Sequence, residues 1–94
     1  SEKLAETTKQ LMEVLFEPAD KRVLRALLRL AAVFGPGGGP TTIVIRQEDL
    51  AAMVGSRRQT VSRPLKRAAH AGAIRLGRGR IHVDDRALLT RLAR

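Results

Sequence analysis

Polar and basic side chains that can bond to nucleic acid crowd one short stretch, residues 56–63, which reads SRRQTVSR. Arginine donates two hydrogen bonds to guanine O6 and N7, glutamine pairs in the same way with adenine N6 and N7, and hydroxyls bond to phosphate. Only Val61 in this stretch is apolar. These residue types favour contact with nucleic acid at this part of the chain.

The spacing places several of these side chains on one helix face. Arg58 and Gln59 fall on an exposed first turn, and Arg63 follows four or five residues later on the same side. A lone arginine is more often a solvated surface charge, but the clustering favours base reading by these three residues. Candidate phosphate contacts are Ser56, Arg57, Ser62 and Lys66 nearby, and Arg78 and Arg80 in a later glycine-flanked segment.

The basic charge is concentrated in the second half of the chain. The formal net charge is +9 over 94 residues; residues 1–45 contribute +1 and residues 46–94 contribute +8. No acidic residue occurs between Asp49 and Asp84, whereas eight basic residues do. Such a surface attracts polyanions. A solvated basic face and contact with acidic lipid are the alternatives.

Several kinds of site have no residues to build them. The sequence has no cysteine, and its two histidines, His70 and His82, lack metal-ligand spacing. It shows no paired carboxylates and no nucleophile with a base, so we expect neither an enzyme nor a metal or cofactor site in this chain. No apolar run reaches the length of a membrane span, and no signal peptide is present, so we expect a cytoplasmic protein without membrane contact.

A helix-turn-helix, residues 48–63, positions the polar stretch. The first helix is predicted over 47–54, and Gly55 supplies a sharp turn because glycine tolerates positive φ. Ser56 is predicted to cap the second helix, with Gln59 completing a capping box. This recognition helix spans 57–71 and ends at Gly72. Pro64 lies inside it, where proline kinks a helix, and its role is unexplained.

The remaining elements predict a scaffold around this unit. A helix over 19–34 buries Val23, Leu24, Leu27, Leu28, Leu30, Ala31 and Phe34, and a glycine-proline loop over 35–40 leads to a strand over 41–45. Residues 74–83 alternate around Gly77-Arg78-Gly79 and predict a β-hairpin. Asp84-Asp85 caps a last helix over 86–93. This order predicts a mainly α fold with a small β-sheet, a winged helix-turn-helix whose wing is 76–81.

Residues 1–16 predict a further helix with a narrow stripe formed by Leu4, Leu11 and Leu15. The stripe suits either a coiled-coil seam with a second copy or packing on the chain's own core. On the coiled-coil interpretation, residues 1–16 are the end of a dimerisation-type helix, and the winged helix-turn-helix follows over 17–94.

Residues 46–85 resemble the C-terminal DNA-binding domain of the CRP/FNR family of transcription regulators. The resemblance rests on QEDLA, VG, TVSR and LK, followed by the glycine-rich hairpin. It implies that Arg58, Gln59 and Arg63 read bases and that Thr60 meets phosphate. The chain departs from the family pattern at Gln59, where many members have Glu, at Pro64, where a helix former is usual, and at Ala69, where Leu is usual.

The resemblance also implies partners. These are double-stranded DNA with a pseudo-palindromic operator, a second copy of the chain in a bacterial homodimer and, as a candidate, RNA polymerase. Family members carry an N-terminal effector-sensing domain, none of which lies in these 94 residues, and the sequence does not identify its effector. A winged helix that binds a protein or RNA through its basic face is the alternative.

Overall fold

The computed structural model describes residues 16–94, so the predicted helix over 1–16 lies outside the described residues except for Phe16, which is buried. Within that range the chain forms four helices and a three-stranded sheet, which confirms a mainly α winged helix-turn-helix. The elements in chain order are α1 (Pro18–Phe34), β1 (Thr41–Ile43), α2 (Gln47–Met53), α3 (Arg58–His70), β2 (Ile74–Gly77), β3 (Arg80–Val83) and α4 (Arg86–Leu92).

Helix α1 is the central element, and α2, α3, α4 and β1 all pack on it. Pro18 occupies its first position, where an amide donor is not needed, and Asp20 accepts a hydrogen bond from the Glu17 amide at 3.1 Å. On the predicted apolar face, Val23, Leu24, Leu27 and Ala31 are buried and Leu28 and Leu30 are half-buried, whereas Phe34, also predicted to be buried, is 45% exposed. That prediction was wrong because α4 begins beside Ala31 and covers only the earlier turns.

The sheet is antiparallel throughout, with strand order β1-β3-β2. Ile81 in the central strand lies opposite both Ile43 and Leu76, and its side chain is buried against the helices. Strand β1 ends at Ile43, two residues earlier than predicted, because β3 offers only Arg80 beyond that point before the chain turns at the wing.

The turn between α2 and α3 corrects the predicted cap. Gly55 adopts φ +68°, and the Ser56 amide donates to the Ala51 carbonyl at 2.9 Å, which closes the end of α2. Ser56 thus belongs to the end of α2. Arg57, extended at φ −85° and ψ 156°, is the residue that precedes α3, and no side chain caps this helix. The predicted capping box of Ser56 and Gln59 was therefore wrong.

The core lies between α1, the helix-turn-helix and the inner face of the sheet. Helix α3 contributes four buried residues on one side, namely Val61, Pro64, Leu65 and Ala68. Pro64 replaces a helical amide donor with an apolar ring inside the core, and α3 continues through it to His70. The burial accounts for an apolar residue at position 64 but not for the choice of proline.

Candidate nucleic-acid interface

Helix α3 presents a polar face to solvent because its apolar residues all point to the core. Arg58, Gln59, Thr60, Arg63 and Lys66 are exposed, and Ser62 is half-buried between them. The exposed face begins at the first residue of α3, where backbone amides lack helical acceptors and favour anions. A polyanion can therefore meet side chains and the helix start together.

The basic side chains on this face have no acidic partner in the part of the chain that is described. Arg57, Arg58, Arg63 and Lys66 form no ion pair or side-chain hydrogen bond among residues 16–94. Their charges are therefore not compensated within the domain. A ligand that approaches α3 meets a positive field screened only by salt.

Two other arginines of the basic region are held by acids. Arg67, one turn after Arg63, lies 4.0 Å from the carboxylate of the buried Asp20 in α1. Arg75 in β2 donates to Asp84 at 2.7 and 3.2 Å. These contacts separate structural cations from those available to a ligand.

The Arg75–Asp84 pair also shifts the ionisation of both groups. The hydrogen bond from Arg75 lowers the pKa of the Asp84 carboxyl, and the same bond raises the pKa of Arg75. Asp84 was predicted to share in capping α4, but only Asp85 does so, with its side chain accepting from the Leu88 amide at 3.0 Å. Asp84 instead closes the base of the wing.

The wing is the predicted hairpin. Gly77 pairs with Arg80, and the two-residue turn between them contains Gly79 at φ +69°, a conformation that favours glycine. Arg78 and Arg80 are exposed at this tip and form no ion pair within residues 16–94. The wing therefore adds two available cations to those of α3.

Two surface concavities divide the predicted site residues. A shallow hollow on α3 is lined by Gln59, Ser62, Arg63, Lys66 and Arg67. A cleft of about 480 Å³ lies between the wing and the helix-turn-helix, lined by Arg58, by residues 77–81 and by residues 45–48. The structure thus brings Gln59 and Arg63 together, and places Arg58 beside the wing.

Arg46 is a cleft residue that the sequence reasoning missed. It precedes α2 and pairs with Glu48 at 3.6 Å, with both side chains largely exposed. Its position just before a predicted helix, in a basic region, was the available signal. Ser56, predicted as a phosphate contact, is half-buried, and its amide is already bonded to Ala51.

Comparison with known proteins places this arrangement in a family. A family model described as a Crp-like helix-turn-helix domain matches residues 21–92, which includes all seven helices and strands apart from the first three residues of α1. The chain belongs to this family. Its match covers both concavities and the wing, so the surface described above lies wholly within the family domain.

The chain is similar to two curated members from bacteria. It is 42% identical over 91 residues to the cyclic AMP receptor protein of Thermus thermophilus, covering 97% of this chain and 40% of that protein. It is 36% identical over 95 residues to a CRP-like cAMP-activated global transcriptional regulator of Mycobacterium tuberculosis, covering 98% of this chain and 42% of the relative. The chain therefore spans about two fifths of these relatives.

A solved structure agrees with the fold. The crystal structure of the Thermus thermophilus catabolite activator protein matches with a TM-score of 0.70 and 40% identity, over 98% of this chain and 41% of that one. No helix within residues 16–94 is long and apolar enough to cross a membrane. Within the same residues, no three His, Cys, Asp or Glu side chains group as a metal site would require.

Proposed function

We propose that this chain binds duplex DNA sequence-specifically as the DNA-binding module of a bacterial transcription regulator, with α3 in the major groove. The observation that carries the proposal is the uncompensated basic face of α3, which directly follows the helix-turn-helix turn at Gly55. A major groove admits one α-helix, and this unit offers its second helix with the first turns exposed. Membership of the Crp-like family supports the same function.

Base reading is assigned to three exposed residues of α3. Gln59 and Arg63 share one hollow, and one helical turn separates them, so both reach the same groove. Arg58, at the first position of α3, enters the same groove beside Gln59 and Arg63, on the side that faces the wing. Arginine and glutamine supply the paired donors and acceptors that distinguish base edges.

Phosphate contacts surround these readers and fix the helix in the groove. They are assigned to Ser56, Arg57, Thr60, Ser62 and Lys66 around α3, and to Arg78 and Arg80 at the wing tip. Flexible, glycine-flanked arginines conform to a DNA backbone or a minor groove, which suits the wing. Contacts of this kind add affinity without sequence preference.

The biological unit we propose is a homodimer on a pseudo-palindromic operator, with recognition helices about 34 Å apart. Both relatives have cyclic AMP in their names, and both are more than twice as long as this chain. We propose DNA as the ligand of the surface described here, and RNA polymerase as a candidate partner of the whole regulator. We further propose that the protein acts in the cytoplasm and is not an enzyme.

Selection from a random duplex pool tests the proposal. The chain is incubated with the pool at fixed salt, and the bound duplexes are sequenced after several rounds. We expect a recurring half-site, with paired half-sites about 10 base pairs apart if two copies bind together. A pool without an enriched motif, or equal affinity for single-stranded RNA and duplex, contradicts it and favours a winged helix that binds RNA or protein.

A further inference from the structure

Asp20 in the first turn of α1 connects that helix to the recognition helix. It is 5% exposed and is the one buried charged or polar residue among residues 16–94. Its Oδ2 accepts the Glu17 amide at 3.1 Å and lies 4.0 Å from a guanidinium nitrogen of Arg67 in α3. A buried carboxylate is costly without a cation nearby, so Asp20 favours the position of α3 that keeps Arg67 beside it.

Arg22, two residues further along α1, holds the other half of the helix-turn-helix. Its Nη2 donates to the Val54 carbonyl at 3.0 Å. Val54 directly follows the last residue of α2 and precedes Gly55, the turn residue. The carbonyls at a helix end have no helical donors, so this bond supplies a partner to the turn itself.

We infer that Asp20 and Arg22 are positioning residues for DNA recognition, a role that rests on the function proposed above. The two residues form a clamp at the start of α1, which contacts the turn at Val54 and helix α3 at Arg67. Neither residue lines the α3 hollow or the wing cleft. The clamp sets the angle at which α3 meets the groove while itself remaining away from the DNA.

The two classes of DNA contact respond differently to a loss of this clamp. Paired hydrogen bonds to base edges need a fixed helix, whereas contacts to phosphate tolerate small rotations. A loosened α3 therefore loses affinity for its operator and keeps its affinity for unrelated duplex. The effect of the clamp is therefore measured by the affinity for the operator divided by the affinity for a scrambled duplex.

Asp20→Asn separates positioning from simple electrostatics. The substitution removes a negative charge, so charge alone predicts tighter binding to every duplex. Loss of positioning predicts the opposite for the operator, about tenfold weaker binding with scrambled duplex unchanged or tighter. Arg67→Gln breaks the same contact and also removes a charge that lines the α3 hollow, so it lowers both affinities as well as their ratio. The double variant lowers the ratio by less than the two single changes would if they were independent, because both single changes break the Asp20–Arg67 contact.

Substitutions at Arg22 test the clamp independently of Asp20. Arg22→Gln shortens the side chain and loses the bond to Val54, which lowers the ratio, whereas Arg22→Lys retains a donor and restores it. Arg29→Gln is the matched control, since Arg29 is exposed on the same helix and forms no side-chain hydrogen bond or ion pair among residues 16–94. It reduces both affinities by the same factor and leaves the ratio unchanged.

The measurement is fluorescence anisotropy at fixed salt with the selected operator and a scrambled duplex, after circular dichroism has shown each variant folded. An unchanged ratio in folded Asp20→Asn and Arg22→Gln overturns the clamp. If Asp20→Asn does not fold, Arg22→Gln decides alone. A parent chain that binds both duplexes equally overturns the proposed function instead.

Discussion

Arg75 and Asp84 form a two-point ion pair at the open end of the wing hairpin, with Nε to Oδ2 at 2.7 Å and Nη2 to Oδ1 at 3.2 Å. The contact joins β2 to the residue that follows β3, so it ties the wing to the start of α4. Arg75 therefore has an intramolecular partner, whereas Arg78 and Arg80 at the tip form no ion pair within residues 16–94.

The pair predicts a dependence of stability on acid pH. Because its folded-state pKa is lowered from the ordinary value of 3.8, Asp84 stabilises the fold fully above that value and loses this contribution as pH falls through the lowered pKa. Thermal unfolding of the parent and of Asp84→Asn, compared from neutral to strongly acid pH, should show a difference that disappears in acid. A difference that grows as pH falls contradicts this account.

Gly55→Ala should destabilise the fold through backbone strain alone. A Cβ at this position meets no atom within 4 Å, but φ is +68°, which costs an L-residue about 1–2 kcal/mol. Gly37→Ala is the matched control, since it has equally open surroundings and no positive φ. Its stability should be unchanged or slightly raised. Urea titration measures both, and equal losses at the two positions would refute the strain argument.

Asp85→Ala and Ser56→Ala distinguish a helix cap from a residue that only resembles one. Asp85 accepts the Leu88 amide at the start of α4, so its loss should cost about 1 kcal/mol. Ser56 caps no helix, so Ser56→Ala should change the unfolding free energy by less than about 0.5 kcal/mol. The urea midpoints of the two variants show which substitution lowers the unfolding free energy more. A larger loss of stability for Ser56→Ala than for Asp85→Ala would contradict this assignment and support the predicted capping box.

Local sequence signals were sufficient for most of the architecture. The apolar spacing of Val23, Leu24 and Leu27 placed α1, and the glycines at 55 and 72 marked the ends of α2 and α3. The alternation around residues 77–79 identified the wing. These features depend on periodicity and turn chemistry, which neighbouring residues determine.

The predictions that failed concern residues whose role depends on a contact with another part of the fold. Ser56 had the side chain of a cap, but the closure of α2 used its amide and moved the start of α3 by one residue. The burial of Asp20 depends on packing between α1 and α3, which are distant in sequence. In the same way, no local pattern distinguishes Arg67, held near Asp20, from Arg63, which is exposed and free of ion pairs among the described residues.

The most direct test of the account compares Arg63→Ala with Arg80→Ala on the selected operator, on operators changed at single base pairs and on scrambled duplex. We predict that Arg63→Ala loses about 1–3 kcal/mol of operator affinity and tolerates change at one base pair. Arg80→Ala should weaken all duplexes alike and reduce the salt slope by about one. Operator binding by Arg63→Ala that equals the parent's would contradict the central claim that α3 reads DNA sequence.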